Sequence, residues 1–266
     1  QNLPQVTKNI LLLNIAFFVA SLLLKSQGID LEMTLGAHYV NSPFFEPYQI
    51  VTHFFMHSTD NFLHIFFNMW LFVMLGAYLE NIWGAKRFFI FYLISAMGSF
   101  ALYNMIGFIE IMNLKAALAN QFDIEQFNYF LKHTVNVNSD LIGQINTYIN
   151  ENQIRITPAL ESYLGKFITP MVGASGGVFG IMTAFAILFP NTEFRIYFFI
   201  PVKAKFLVTG YFLLELYLAF QNQAGDNVAH LAHVGGAVAG AILVLVWRIP
   251  LTPKVFFQLF FSACKY

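Results

Sequence analysis

The segment Gly173-Ala174-Ser175-Gly176-Gly177 lies near the start of a hydrophobic stretch, residues 171–189, that is long enough to cross a lipid bilayer. A second stretch of this kind, residues 229–247, contains His233. Polar side chains are costly inside a membrane, so a serine and a histidine in two such stretches are candidates for function. Together they indicate nucleophilic catalysis within the bilayer.

The composition of the whole chain is that of an integral membrane protein. Of the 266 residues, 58% are hydrophobic and 11% are charged, whereas soluble domains carry about 25% charged residues. The 14 basic and 14 acidic residues balance, so the charge predicts no nucleic-acid partner. The single cysteine, Cys264, excludes an intrachain disulfide framework and a multi-cysteine metal site.

Six apolar segments approach the length of about 20 residues that a helix needs to cross a bilayer. The first has no small-residue cleavage site, so it is interpreted as a retained span and not as a signal peptide. We therefore predict an all-α membrane protein, a bundle of six transmembrane helices forming one domain over residues 1–266. The segments are residues 9–24, 62–79, 88–109, 171–189, 204–220 and 229–247.

The positions of the basic residues predict the orientation of the bundle. With the N-terminus in the cytoplasm, nine of the 14 Lys and Arg residues fall on the cytoplasmic side. Four of the other five lie in one long loop, and long loops cross membranes largely regardless of charge. Both termini of this multi-pass protein are therefore predicted to be cytoplasmic.

The long loop, residues 110–168, differs from the rest of the chain because it is rich in Asn, Gln and charged residues. Two sets of apolar residues recur at helical spacing, which predicts two or three amphipathic helices outside the membrane. The sets are Leu114, Leu118 and Phe122, and Phe127, Phe130 and Leu131. We expect an extracytoplasmic insertion between the third and fourth spans. A solvated spacer and a substrate-gating or partner-docking role both remain open for it.

Ser175 lies in a Gly-x-Ser-x-Gly pattern that leads directly into an apolar helix. At a helix start, free backbone N–H groups and the helix dipole favour a developing oxyanion. Glycine pairs such as Gly173/Gly177 also serve simple helix packing, so the motif alone leaves both interpretations open.

His233 is followed by Gly236 and Gly240 on the same helical face. A glycine face lets two helices approach closely, and contact with the glycines after Ser175 would bring the imidazole within reach of the hydroxyl. The alternative is a buried histidine bonded to a carbonyl group. Asp226 is expected in a loop above the membrane, so a Ser–His dyad is favoured over a triad.

His64 and Asn68 share one face of the second predicted span. The amide N–H groups of Asn68 and a ring N–H of His64 can both donate to an oxyanion formed near Ser175. An inter-helix polar clamp is the alternative for this pair.

Two pairs of histidines leave a metal-dependent membrane oxidase or hydroxylase open as an alternative. His53 and His57 are four residues apart, and His230 and His233 are three apart. The sequence has no His-Glu-x-x-His motif, and Glu215, the only carboxylate well inside a predicted span, is expected to be buried and paired. The prediction is therefore a site without metal or cofactor.

On these residues the chain resembles the rhomboid intramembrane serine proteases. The resemblance covers about residues 50–109 and 170–247, with several motifs in order along the predicted spans. The motifs are His64-x-x-x-Asn68; Gly76, Leu79-Glu80, Gly84 and Arg87; Gly173-Ala174-Ser175-Gly176; and Ala232-His233 with Gly236 and Gly240.

The resemblance implies an intramembrane serine endopeptidase in which Ser175 attacks a peptide bond in or beside the span of a single-span substrate protein. It implies that His233 is the base, and that His64, Asn68 and the Ser175 backbone N–H stabilise the oxyanion. The family's site is a water-filled cavity open to the extracytoplasmic side, which agrees with the predicted orientation. A bacterial plasma membrane is the expected location, although organellar membranes also host relatives; a rhomboid-like binder without activity is a further alternative.

Three features depart from the family's pattern. The loop over residues 25–59 contains neither Trp nor Arg, so the Trp-Arg pair of many relatives is absent. Phe179 stands where many relatives have a tyrosine stacked on the histidine, and it has no hydroxyl. The loop between the third and fourth spans, usually short, here reaches nearly 60 residues.

Overall fold

The protein is described by a computed structural model that covers residues 2–137, 140–196, 200–220 and 227–247. This part of the chain is mostly helical. The elements are α1 (Gln5–Lys25), α2 (Leu31–Leu35), α3 (Gln49–Thr52), α4 (Phe62–Leu71), α5 (Ala77–Trp83), α6 (Ala85–Leu118), α7 (Ile124–His133), α8 (Leu141–Glu151), α9 (Pro158–Ile168), α10 (Ser175–Leu188), β1 (Glu193–Ile196), β2 (Ile200–Lys203), α11 (Ala204–Phe220) and α12 (Asn227–Trp247).

Within the described residues, four helical stretches are long and apolar enough to cross a membrane: Gln5–Lys25, Phe62–Trp83, Ala85–Leu118 and His230–Trp247. α10 is a shorter apolar helix of 14 residues. α11, with 17 residues, has the bounds of the fifth predicted segment. The structure is therefore that of a helical membrane protein.

The second long stretch consists of α4, a π-helical turn over Phe72–Gly76, and α5. It ends at Gly84, whose φ of 76° lies in the left-handed region that favours glycine. Near its end, the buried Glu80 accepts hydrogen bonds from the backbone N–H groups of Val6 and Thr7 at 2.9 and 2.7 Å. These N–H groups have no partner within α1, so Glu80 caps α1 from another helix.

Glycines bring α10 and α12 into backbone contact. A Cβ atom at Gly236 would collide with the carbonyl group of Gly176, and one at Gly240 would lie 2.7 Å from the Cα of Gly180. We refer to Gly176, Gly180, Gly236 and Gly240 as the glycine interface. The sequence predicts that two glycine faces meet, and the structure has this contact. The helix that begins at Ser175 and the helix that carries His233 are therefore in direct backbone contact at these glycines.

Helices α7, α8 and α9 form a three-helix unit between α6 and α10. Asp123, Asp140 and Thr157 cap them through side-chain oxygens that accept hydrogen bonds from backbone N–H groups of the first turns. The unit shares a core with the C-terminal half of α6 and with the segment after α1. Fully buried side chains fill that core, among them Tyr39, Tyr103, Phe127, Leu160, Tyr163 and Phe167.

Three details differ from the sequence prediction. α6 continues to Leu118, beyond the predicted end at residue 109, because an amphipathic stretch follows the apolar one without a helix breaker. The helix of the fourth predicted segment, α10, begins at Ser175 and not at Met171, because Met171 pairs in an extended bridge with Ala37. An antiparallel hairpin, β1 with β2, precedes α11 and was not predicted.

Candidate active site

Ser175 is the first residue of α10, and the turn before it depends on a glycine. Gly173 has a φ of 124°, which side-chain-bearing residues rarely adopt. Its N–H donates to the carbonyl oxygen of His53 at 3.1 Å, and Val178 N–H donates to the carbonyl oxygen of Ala174 at 3.0 Å. The N–H groups of the first residues of α10 therefore have no intrahelical partner and are free to bind an anion.

The structure brings the four predicted site residues to one cavity. Ser175, His233, His64 and Asn68 all line it, and they come from α10, α12 and α4. Phe179 and Tyr211 complete the wall next to His233, and residues 169–172, which lead into α10, form another side. Sequence reasoning did not identify Tyr211 because nothing in the sequence relates α11 to this cavity.

His64 and Ser175 border the same small space above Gly173. A Cβ atom built on Gly173 would lie 3.3 Å from His64 Nε2 and 3.4 Å from Ser175 Oγ. One turn further along α4, Asn68 Nδ2 donates to the carbonyl oxygen of His64 at 2.9 Å. The side-chain amide carries two N–H donors, so one remains after this bond. A donor from each of these two side chains thus lies at the cavity that Ser175 lines.

The imidazole of His233 is held on its face and on one edge. Its ring stacks on that of Phe179, with centroids 4.3 Å apart and planes 10° from parallel. Its Nδ1 lies 2.8 Å from Glu215 Oε2. Phe179 therefore fills the stacking role that the resemblance gives to a tyrosine, without a hydroxyl.

No hydrogen bond joins Ser175 to His233 among those found for the described residues, although both side chains line the cavity. Bonds between a nucleophile and its base are often long without a bound substrate and tighten in the reactive complex.

Like Tyr211, Glu215 lies in this region at a position that the sequence did not predict. It lies on α11 and is 3% exposed, and its Oε2 is within 2.6 Å of Nδ1 of His230 as well as bonded to His233. The expectation that Glu215 is buried and paired is met by this geometry. The sequence favoured a dyad because it offered only Asp226, which lies outside the described residues, whereas the structure supplies a carboxylate from another helix.

Glu215, His230 and His233 also have the ligand types of a metal site. One ligand atom from each lies within 4.8 Å of the others, and no other group of three such ligands occurs in the described ranges. Two histidines and one carboxylate suit zinc or non-haem iron. In the structure, both Nδ1 atoms lie at hydrogen-bond distance from one carboxylate oxygen, so a bound ion would replace two hydrogen bonds.

The first histidine pair does not form a site of this kind. His53 Nδ1 donates to the carbonyl oxygen of Gln49 at 2.6 Å, and the His57 ring packs 5.3 Å from that of His64. Burial lowers the pKa of His53 to about 4 and that of His57 to about 3, so both rings are neutral at pH 7. His53 acts as a support because its carbonyl group holds Gly173.

Two relatives share a short stretch with this chain. A stretch of 78 residues, 29% of this chain, is 40% identical to an uncharacterized mitochondrial rhomboid protein of Schizosaccharomyces pombe and covers 20% of that protein. A stretch of 74 residues, 28% of this chain, is 39% identical to the mitochondrial RHOMBOID-like protein 12 of Arabidopsis thaliana and covers 21% of it. The chain thus spans about a fifth of the length of these relatives.

The family comparison covers much more of the chain. The family model described as Rhomboid domain matches residues 45–110 and 129–249, which include all the residues that line the cavity. Since this match extends over more than half of the sequence, the chain belongs to the rhomboid family.

Proposed function

We propose that this protein is an intramembrane serine endopeptidase that cleaves single-span membrane proteins in or near their membrane span. The observation that carries the proposal is the convergence of Ser175, His233, His64 and Asn68 on one cavity. These residues are far apart in the sequence and sit on α4, α10 and α12, so their meeting is a property of the fold. Membership of the rhomboid family supports the same reaction class.

His233 is the proposed general base. Its Nδ1 is engaged by Glu215, which leaves Nε2 as the nitrogen that can take the proton from the Ser175 hydroxyl. Ser175 Oγ then bonds to the carbonyl carbon of the substrate. The imidazolium returns the proton to the leaving amine, and water hydrolyses the acyl-enzyme in the second half of the reaction.

The proposed oxyanion site has three sources of N–H donors. They are the free backbone N–H at the start of α10, His64 Nε2 and the remaining amide N–H of Asn68. Ser175, His64 and Asn68 all line one cavity, where donors held in place by the fold need little rearrangement when the charge develops. A charge developing on the carbonyl oxygen is stabilised strongly in such surroundings.

The proposed setting is a six-span bundle forming one domain over residues 1–266, with cytoplasmic termini and with the 110–168 segment as an extracytoplasmic insertion. The three-helix unit falls within this segment. Arg248, Lys254 and Lys265, which contribute to the orientation argument, lie outside the described residues. Both relatives are mitochondrial by name, which favours an organellar membrane over the bacterial plasma membrane expected from the sequence.

The decisive experiment compares the wild-type protein with Ser175→Ala in proteoliposomes containing a single-span substrate. Wild type is expected to cleave the substrate and to be labelled by a fluorophosphonate probe, and Ser175→Ala is expected to do neither. Ser162→Ala, at an exposed serine of α9, is the matched control and should behave as wild type. Full activity of Ser175→Ala would reject the assignment, and a wild type that stays unlabelled would favour a non-catalytic binder.

The oxyanion assignment is tested separately with His64→Ala and Asn68→Ala. Loss of one oxyanion donor is expected to lower kcat by about 10²–10³-fold. Unchanged kcat in both variants would remove the two residues from this role.

A metal-dependent oxidase or hydroxylase remains the second candidate because Glu215, His230 and His233 form a cluster of suitable ligands. Metal analysis of the purified protein separates the two functions. Stoichiometric iron or zinc, with activity lost on chelation, would favour the metal enzyme; the protease is expected to keep its activity in a chelator.

A further inference from the structure

Resting on the proposed protease function, we propose that Glu215 is a positioning residue that holds His233 in its reactive orientation and tautomer, with His230 fixing the carboxylate. The site is then a Ser–His–Glu set assembled from α10, α12 and α11, and not a dyad. The carboxylate comes from a helix that carries none of the four predicted site residues.

The hydrogen-bond geometry determines which nitrogen of His233 carries the proton. An ionised carboxylate only accepts, so the contact of 2.8 Å between Glu215 Oε2 and Nδ1 requires a hydrogen on Nδ1. In a neutral imidazole the other nitrogen, Nε2, then has a free lone pair. This is the tautomer that a base acting on the Ser175 hydroxyl needs, and the contact with Glu215 selects it.

His230 holds the same carboxylate oxygen from the other side. Its Nδ1 lies 2.6 Å from Glu215 Oε2, and it is three residues from His233 on α12. A buried carboxylate in a membrane helix is costly unless donors compensate its charge. Two imidazoles provide that compensation, and they also restrict the rotation of the carboxylate about its side chain.

Phe179 completes the restraint of the His233 ring. It covers one face of the ring at a centroid distance of 4.3 Å, while Glu215 holds the Nδ1 edge. The ring can therefore neither flip nor turn without losing a contact, and His233 lines the same cavity as Ser175. When His233 takes a proton, the negative charge of Glu215 stabilises the imidazolium in a low dielectric.

The test measures the rate of Ser175 labelling by a small fluorophosphonate, together with kcat and KM for a single-span substrate in proteoliposomes. Glu215→Gln is expected to slow labelling and to lower kcat by about 10²–10⁴-fold, because a neutral amide no longer selects the tautomer or stabilises the imidazolium. KM is expected to stay unchanged, since Glu215 does not line the cavity. His230→Leu should give a smaller fall, and His230→Gln, which keeps a donor, should restore part of it.

Glu80→Gln is the matched control, because Glu80 and Glu215 are the two buried carboxylates among the described residues, and Glu80 caps α1. It should lower thermal stability and leave the labelling rate of the folded protein unchanged. Wild-type labelling rate and kcat in Glu215→Gln, or a loss explained entirely by a smaller folded fraction, would overturn the proposal. If Glu215→Gln does not fold, Glu215→Asp decides: slower labelling at constant KM supports the proposal, and wild-type rates overturn it.

Two further measurements separate the role of Glu215 from the metal-ligand alternative and from the proposed protease function. Stoichiometric metal bound to the wild type, and lost in Glu215→Gln, would overturn the positioning role in favour of a ligand role. If wild-type Ser175 is not labelled at all, the proposed protease function itself fails. If it is labelled and Glu215→Gln is labelled as fast, only the role of Glu215 fails.

Discussion

The glycine interface and the core of the three-helix unit are packed in opposite ways. Between α10 and α12, backbones touch directly, and a single methyl group at Gly236 would collide with the next helix. In the three-helix unit, large side chains such as Phe127, Tyr163 and Phe167 fill the space between helices. At the glycine interface no side chain can shift to make room, whereas the three-helix unit has a close-packed hydrophobic core like that of a globular domain.

The two kinds of packing predict which property a substitution changes in each region. Within a membrane, helices gain little from burying apolar groups against each other, so close backbone contact and buried polar groups fix their positions. In the three-helix unit, burial of aromatic side chains supplies the stability. We therefore expect the glycine interface to control the geometry of the proposed site, and the three-helix unit to control mainly its own folding.

The largest effect on Ser175 labelling is expected at the glycine interface. Gly236→Ala should push α12 away from α10 and thereby separate His233 from Ser175. A misplacement of about 1 Å can cost about 10²-fold in rate, and overpacking typically costs about 1–3 kcal/mol of unfolding free energy. Fluorophosphonate labelling and thermal unfolding measure the two effects.

Gly210→Ala on α11 is the control, because no heavy atom lies within 4 Å of the added methyl group. It should leave both quantities unchanged. A Gly236→Ala variant that is labelled as fast as wild type would contradict the comparison.

In the three-helix unit, the expected effect is large for stability and small for labelling. Phe127→Ala removes a fully buried ring, which typically costs about 3–5 kcal/mol. We expect α7–α9 to become sensitive to added protease while Ser175 keeps its labelling rate. Tyr129→Ala, at an exposed position of α7, should resist protease as wild type does. Loss of labelling in Phe127→Ala would show that the two regions are not separable.

A smaller effect on stability, which depends on pH, is expected where the three-helix unit meets the segment after α1. The buried His38 lies 2.8 Å from the carbonyl oxygen of Phe167 through Nδ1 and 3.0 Å from that of Met33 through Nε2. Burial lowers its pKa below the ordinary value of 6.5, so folding favours the neutral ring. Its contribution to stability is then complete above pH 6.5 and is lost as the pH falls through the lowered pKa.

Hydrogen exchange of α9 amides, corrected for the intrinsic rate, should therefore be faster at pH 5 than at pH 7, while α10 changes less. His38→Gln should remove this pH dependence. The same dependence in His38→Gln and wild type would exclude His38 as its source.

The smallest effect on stability is expected at the surface of the three-helix unit. Lys115 and Glu125 form an ion pair with 3.2 Å between Nζ and Oε1, and both side chains are partly exposed. Such pairs contribute about 0–1 kcal/mol. Lys115→Met should therefore shift the thermal midpoint little, and a loss above this range would show that the pair carries more of the unit's stability than its exposure implies.

Much of the membrane part follows from the sequence, because its patterns are local. The bounds of α11 match a predicted segment, and the glycine faces of α10 and α12 were visible as residues spaced along a helix. The helical spacing of Leu114 and Leu118 is that of the last turns of α6, just before the three-helix unit. Ser175 at the start of a helix follows from the glycine-rich turn before it.

What the sequence did not reveal depends on contacts between distant segments. Glu215 reaches His233 only because α11 packs beside α12, and no local pattern encodes that neighbour. The extended pairing of Met171 with Ala37 moves the start of α10, and it joins residues that are far apart in the chain. The π-helical turn over Phe72–Gly76 lies inside an apolar run that reads as a regular helix.

α6 is longer than the hydrocarbon layer of a membrane is thick. Its 34 residues extend about 51 Å at about 1.5 Å per residue, whereas the hydrocarbon layer is about 30 Å thick. In the proposed orientation, about 20 Å of α6 therefore extends beyond the hydrocarbon layer on the side of the three-helix unit. A fluorophore on the three-helix unit would report the distance of this unit from the lipid headgroups. This distance is expected to decrease when longer-chain lipids thicken the bilayer.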